Sequence, residues 1–174
     1  DGAKLDNFLE SFTNVTGVAA IIADASGQPI TKAHNFSNLC QDYCRCSKSG
    51  RQKCWESDRF GGWNSLHLRN KFVYQCLNAG LIDSAYPIVV DGYHLATALC
   101  GQVLFEPIET EVAVERATSI EVENIDGYLK ELKKIPIMPP GSFDEIVNHM
   151  QIVVQTISEL ALQKYLSTQR SRHY

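Results

Sequence analysis

The sequence has no excess of basic residues, no long apolar segment and no targeting pattern at its start. Its 174 residues include 16 Lys or Arg and 20 Asp or Glu, which gives a formal net charge of −4. Nucleic-acid-binding domains usually carry a basic face, so we expect no direct contact with nucleic acid. The apolar runs are strand-sized, far short of the roughly 20 residues that cross a bilayer. Without a basic start or an apolar leader, no signal peptide or membrane attachment is expected.

Motifs of the common enzyme classes are missing as well. Gly61 and Gly62 lack the Lys and the Ser or Thr of a phosphate-binding loop. No Ser or Cys has the setting of a nucleophile elbow. The histidines are scattered over different predicted elements, and a Cys–His pair such as Cys40 with His34 or His94 is only a weak alternative. We therefore expect a protein without catalytic activity.

The composition is that of one globular domain. Hydrophobic residues make up 44% of the chain and charged residues 21%, and a chain of this length can bury a single core. The whole chain, residues 1–174, is therefore predicted to form one domain. Six cysteines in a chain of this size, without a secretory signal, favour reduced thiols in the cytoplasm, either free or bound to metal.

The N-terminal part predicts a helix, a hairpin and a helical segment rich in cysteine. Residues 4–13 have helical apolar spacing, and the apolar run 18–24 indicates a strand. A Ser-Gly turn leads to a second predicted strand at residues 29–32, which would complete a β-hairpin. The polar stretch that follows shows no strand-like alternation. Two helices are predicted there, at Ser49–Asp58 and Phe60–Leu68, with Gly61 and Gly62 near their junction.

Three further strands and several helices are predicted after this segment. The strands are Phe72–Cys76, Leu81–Val90 and Tyr93–Phe105, and Asp91-Gly92 favours a type I′ turn between the last two. Helical spacing returns after residue 109. A last helix is predicted over about residues 142–170, with Ser142 as its cap and Glu145 in capping-box position. This order predicts an α+β, PAS-like domain: an antiparallel sheet of about five strands, a cysteine-rich helical insert and C-terminal helices.

Four cysteines within fifteen residues are the sharpest local feature. Zinc and iron–sulfur sites use such clusters of thiolates, so zinc or iron is a candidate cofactor, with Cys76 as a further ligand. The spacing matches neither a paired zinc module nor a common ferredoxin run. Buried thiols that pack as small hydrophobes, or a redox-responsive disulfide from Cys44 or Cys46 to Cys54, are the alternatives. Cys100, in an apolar strand, is expected in the core. The four candidate ligands are Cys40, Cys44, Cys46 and Cys54.

Three blocks of the sequence resemble the PocR sensory domain of bacterial signalling proteins. The first is the hairpin turn at residues 25–29 with Asn35, Phe36 and Cys40. The second is residues 50–54 with Asp58. The third and most specific has Tyr74, Cys76, an Ala-Gly pair and Asp83, followed by Tyr86-Pro87-Ile88 and Gly101-Gln102-Val103. The resemblance covers roughly residues 5–105, and Cys46, so close to Cys44, departs from it.

The resemblance implies a fold and a function that composition and spacing do not. Domains of this family are similar to PAS folds and precede output modules such as histidine kinases, chemotaxis receptors and AraC-type regulators. They are thought to bind simple hydrocarbon derivatives, for instance propanediol, glycerol or other small alcohols. The resemblance thus implies a sensor with a small-molecule ligand and an output module in the same chain, and no enzymatic activity.

The strand blocks supply the candidate ligand contacts. A small polyol needs one or two hydrogen-bonding groups in an apolar cavity. Asp83 can accept from hydroxyl groups or cap a turn, and an inward Gln102 needs a polar partner. Gly80 allows a close approach of the backbone. The two tyrosines can equally pack in the core. The full set of predicted ligand residues is Tyr74, Cys76, Gly80, Asp83, Tyr86 and Gln102, with Asn35 and Phe36 closing the pocket.

The apolar stripe of the last helix fits two roles. Its first half is expected to pack on the domain, whereas Leu160, Ala161 and Leu166 are candidates for a homodimer seam and for relaying a shift to the output module. The sequence therefore predicts a sensor that binds a small alcohol, diol or polyol. A cysteine-based metal or redox sensor on the same fold is the alternative.

Overall fold

The computed structural model describes residues 2–171, except for the side chains of residues 165 and 169–171. The described chain forms helices on both faces of one antiparallel sheet with strand order β1-β4-β3-β2. This confirms the α+β class and is consistent with a PAS-like fold. The elements are α1 (Gly2–Thr16), β1 (Ala19–Ala23), a π-helical turn (Leu39–Cys44), α2 (Lys48–Leu68), β2 (Phe72–Gln75), β3 (Ile82–Val90), β4 (Tyr93–Val103), α3 (Thr110–Ser119), α4 (Ile125–Leu132) and α5 (Pro140–Ser171).

The central hairpin of β3 and β4 is confirmed. Asp91 and Gly92 have φ values of 52° and 78°, and a type I′ turn requires positive φ at both positions. The two strands pair antiparallel along their length, with register shifts at each end. One shift lies between Ile88 and Val89, and the other lies beside Asp83, where it shapes the candidate site.

The predicted second arm of the first hairpin is not a strand, so the described sheet has four strands instead of about five. Pro29 makes an isolated bridge to Ala23 and cannot donate a backbone hydrogen bond. The N–H of Ile22 donates to the Thr31 hydroxyl, at 3.0 Å, where a regular ladder would use a carbonyl. Because a side chain and a proline interrupt the ladder, this edge of the sheet stays irregular.

The two helices predicted in the cysteine-rich segment are one continuous helix, α2. Its glycines do not break it, because they lie where the helix touches the sheet. A Cβ atom at Gly61 would come within 2.5 Å of the Tyr74 ring, and one at Gly62 within 2.5 Å of the Thr97 hydroxyl oxygen. The glycine pair therefore allows close packing of α2 on the sheet, which a sequence pattern cannot distinguish from a flexible joint.

The other face of the sheet is covered by α1 and α5. The predicted apolar stripe of α5 is confirmed in its first half, which packs into the main core. The helix begins at Pro140, so Ser142 lies inside its first turn and is not the predicted cap; proline favours this first position. None of the helices in the described chain is long and apolar enough to span a bilayer. The buried core residues of α5 are Phe143, Val147, Met150 and Val154.

Candidate functional site

A small cavity lies where the α2-facing side of the sheet meets the π-helical turn. Its volume is about 40 Å³, which leaves room for roughly three waters or for an organic molecule of a few non-hydrogen atoms. Ile21, Leu81 and Leu99 supply apolar wall. The other lining residues are one aromatic residue, four polar or charged residues, four cysteines and three small residues: Phe36, Arg45, Asp58, Asp83, Gln102, Cys40, Cys54, Cys76, Cys100, Ala19, Ala20 and Gly101.

An ion pair forms one wall of this cavity. The Arg45 guanidinium lies 3.2 Å from the Asp58 carboxylate, and its carbon lies 4.8 Å from the centre of the Phe36 ring. Asp58 is only 8% exposed. Its burial outweighs the attraction of Arg45 and raises the pKa of Asp58 to about 7. Neither residue was among the predicted ligand contacts, although Asp58 follows Cys54 by four residues and so shares its helix face.

A β-bulge brings Asp83 and Gln102 together in the opposite wall. Asp83 pairs with Gly101 and Ile82 pairs with Val103, so Gln102 is the extra residue, with a φ of 62°. Its N–H donates to Asp83 Oδ1 at 3.0 Å. Burial raises the pKa of Asp83 to about 6, and the hydrogen bond from Gln102 opposes this shift.

The side chain of Gln102 has the partner that its burial requires. The N–H of Ser37 donates to Gln102 Oε1 at 2.8 Å, which ties the loop that carries Phe36 to the bulge. Asn35 supports the same loop: its φ is 53°, and its side-chain amide donates to the Gly17 carbonyl at 2.9 Å. Phe36 and Gln102 also border a more open depression of about 330 Å³ next to the cavity.

The cysteines are free thiols, and only some of them lie close to one another. Cys40, Cys54 and Cys76 line the cavity, and Cys44 is buried beside them. Burial raises the pKa of Cys54 to about 11, so its thiol stays protonated and a poor nucleophile at neutral pH. Cys46 is exposed, with Sγ 3.3 Å from the carbonyl oxygen of Tyr43.

Three of the four predicted metal ligands, Cys40, Cys44 and Cys54, lie in one buried cluster, and the fourth, Cys46, is exposed. Within residues 2–171, no group of three or more His, Cys, Asp or Glu side chains is arranged to hold a metal ion. Cys46 in particular faces away from the thiols that line the cavity. Binding of zinc or iron stays a prediction, and no step below uses a metal.

Four predicted ligand residues lie outside the cavity wall: Asn35, which supports the loop of Phe36, and Tyr74, Gly80 and Tyr86. Tyr74 pairs with Asp83 in the ladder, but its ring packs on Gly61 and stacks on Phe72 as part of the core. Gly80 has a φ of 78°, and its backbone packs against the Arg116 side chain.

Tyr86 lies on the opposite face of the sheet. Its hydroxyl accepts a hydrogen bond of 2.8 Å from the Gln155 side chain of α5. Successive residues of a strand alternate between faces, so Tyr86, three residues after Asp83, points away from the cavity.

Comparisons with known proteins identify the family of this chain. The family model described as the sensory domain found in PocR matches residues 1–162. The regulatory protein PocR of Salmonella typhimurium is 31% identical to this chain over 99 residues, which are 57% of this chain and 32% of that protein. The match thus spans about a third of the length of that relative. The chain belongs to the family of sensory domains found in PocR.

Proposed function

We propose that this domain senses a short alcohol, diol or polyol that binds in the cavity between the sheet and the cysteine-rich segment. The single observation that carries the proposal is the cavity of about 40 Å³, which has apolar walls and is lined by Arg45, Asp58, Asp83 and Gln102. Small-molecule sites combine apolar surface with a few placed polar groups in this way. The alkyl part of the ligand packs on the apolar walls, and its hydroxyls donate to the carboxylates.

The same proposal assigns signal transfer to β3 and α5. β3 carries Asp83 in the cavity and Tyr86 on the other face, where it bonds to Gln155 of α5. A ligand that binds Asp83 therefore contacts the same strand that is hydrogen-bonded to α5 through Tyr86. C-terminal to this contact, α5 carries two exposed leucines. Leu160 is 58% exposed and Leu166 is 45% exposed. These side chains are the proposed surface for an output module in the same chain or for a homodimer, and cytoplasmic location is part of the proposal.

The binding proposal predicts that two cavity substitutions weaken the ligand while the fold persists. Asp83→Ala should lower the affinity for the best compound about tenfold or more, since a hydrogen bond to a charged group contributes about 1.5–3 kcal/mol. Gln102→Ala removes a neutral amide, whose hydrogen bond contributes about 0.5–1.5 kcal/mol, so its affinity should fall by about two- to tenfold. Calorimetry against short alcohols, diols and polyols, with metal analysis of the same protein, measures this. Asp126→Ala, at an exposed position of α4, is the matched control. Absence of heat with every compound rejects the proposal.

The relay proposal predicts that Tyr86→Phe uncouples α5 from the cavity. The substitution removes only the hydroxyl that accepts from Gln155, so ligand affinity should stay within about twofold of wild type. The change in hydrogen exchange of α5 on ligand addition should be lost. Tyr93→Phe, at a residue that is 70% exposed, serves as the control. An unchanged response of α5 in Tyr86→Phe would show that the signal takes another path.

A further inference from the structure

The cavity contains one cation for two carboxylates. Arg45 pairs with Asp58 at 3.2 Å. Within the described chain, the donor to the Asp83 carboxylate is the backbone N–H of Gln102, and no Lys, Arg or His lies within 4.0 Å of it. When both carboxylates are ionised, the walls therefore carry one uncompensated negative charge. Asp83 is the group that lacks a counter-ion.

A buried carboxylate without an ion pair is costly, and here the Gln102 N–H and the more distant charge of Arg45 offset only part of that cost. Taking such a group out of water costs several kcal/mol unless an opposite charge or enough hydrogen bonds replace the water. A neutral hydroxyl supplies one hydrogen bond, whereas an ammonium group supplies hydrogen bonds and the missing charge. The walls thus complement a monocation better than a neutral molecule of the same shape.

The size of the cavity restricts what that monocation can be. A volume of about 40 Å³ accommodates only a few non-hydrogen atoms. Amino acids with long side chains, nucleotides and polyamines are too large. Ile21, Leu81 and Leu99 form an apolar wall, so the ligand should have a hydrocarbon part that packs against it. A chain of two or three carbons meets both conditions.

We infer that the cavity selects a short amino alcohol over the neutral diol of the same size. Its ammonium group donates to Asp83, and its hydroxyl lies against the Arg45–Asp58 pair, where it can accept from the guanidinium and donate to the carboxylate. The inference rests on the proposed function, because it names the ligand class of that same site.

The selection depends on pH through the two carboxylates. Burial raises the pKa of Asp58 to about 7 and that of Asp83 to about 6. The second negative charge, and with it the preference for a cation, is therefore present at pH 8 and is lost as the pH falls through 7 to below 6. An aliphatic amine stays protonated throughout this range, as the lysine side chain does. The other titratable or charged groups around Asp83 are Arg45, Asp58, Tyr74, Cys40, Cys54, Cys76 and Cys100.

The test compares 1-amino-2-propanol with 1,2-propanediol, two molecules of nearly equal shape that differ by one ammonium group. Calorimetry with the whole chain at pH 8 should give an affinity at least tenfold higher for the amino alcohol. In Asp83→Asn the ratio of the two affinities should fall to about one, whereas Asp91→Asn, in the exposed β3–β4 turn, should keep the wild-type ratio. Circular dichroism checks that each variant is folded.

A second measurement needs no variant. In the wild-type chain the ratio of affinities should fall at least fivefold between pH 8 and pH 5. Equal or tighter binding of the diol at pH 8, or a ratio independent of pH, would overturn this inference and leave the proposed function intact. If neither compound nor any short alcohol binds, the proposed function itself fails.

Discussion

Asp83→Asn should stabilise the folded chain at pH 8 and leave its stability nearly unchanged at pH 4. The pKa of Asp83 is raised to about 6 from an ordinary value of 3.8, so the folded state binds the proton more tightly than the unfolded state. Stability must then fall as pH rises from about 4 to about 6, and the loss is complete at higher pH. A difference of about two pKa units corresponds to about 3 kcal/mol at pH 8.

Asparagine removes this cost and keeps the shape of the side chain. Its amide oxygen can still accept from the Gln102 N–H, which lies 3.0 Å from Asp83 Oδ1. Urea denaturation of wild type and Asp83→Asn at pH 4, 6 and 8 measures the difference in the free energy of unfolding. Asp91→Asn controls for the general effect of removing a carboxylate, because Asp91 is exposed and asparagine also tolerates its positive φ.

A destabilised Asp83→Asn at pH 8 would show that another group compensates the charge of Asp83, and it would contradict the charge imbalance proposed for the cavity.

The expected gain in the stability of Asp83→Asn is related to function. Binding sites often keep groups that the folded state would be more stable without, because the ligand supplies what the protein leaves out. Asp83 fits that description, because its carboxylate is buried, its pKa is raised and it forms no ion pair within the described chain.

Gly101→Ala should destabilise the fold by about 3 kcal/mol or more and abolish ligand binding. A Cβ atom at Gly101 would lie 2.3 Å from Asp83 Oδ1, 2.5 Å from the Ile82 carbonyl oxygen and 2.7 Å from Asp83 Cα. Two of these three atoms belong to the backbone of β3, so the clash cannot be relieved by rotating a side chain. Overpacking of this kind costs about 1–3 kcal/mol when the surroundings can shift, and more when they cannot.

Gly141→Ala is the matched control for this substitution. Gly141 lies in the first turn of α5, and a Cβ atom there would meet nothing within 4 Å. Alanine is the better helix former, so the control should be neutral or stabilised by up to about 1 kcal/mol. Thermal or urea unfolding compares both variants with wild type. Wild-type stability of Gly101→Ala would mean that β3 and β4 can shift their pairing at the bulge.

Parts of the candidate site could be predicted from sequence, and the reason is local. Asp83 and Gln102 lie in predicted strands whose turn chemistry fixed the hairpin, and both reach the cavity. Arg45 and Asp58 were missed as contacts because they belong to a polar segment without clear periodicity. Tyr86 was assigned to the pocket by its proximity to Asp83 in sequence, yet strand alternation places it against α5.

The amino-acid sequence by itself determined the α+β class and the β3–β4 hairpin, because periodicity and turn residues act between near neighbours. The family was recognised from the resemblance of its motifs to those of known sensory domains. Only the tertiary structure decided which polar groups share a cavity. Arg45, Asp58, Asp83 and Gln102 come from four separate parts of the chain. The contact of Ser37 with Gln102 joins residues 65 positions apart. Such proximity depends on how α2 and the π-helical turn pack on the sheet, and no local pattern encodes that packing.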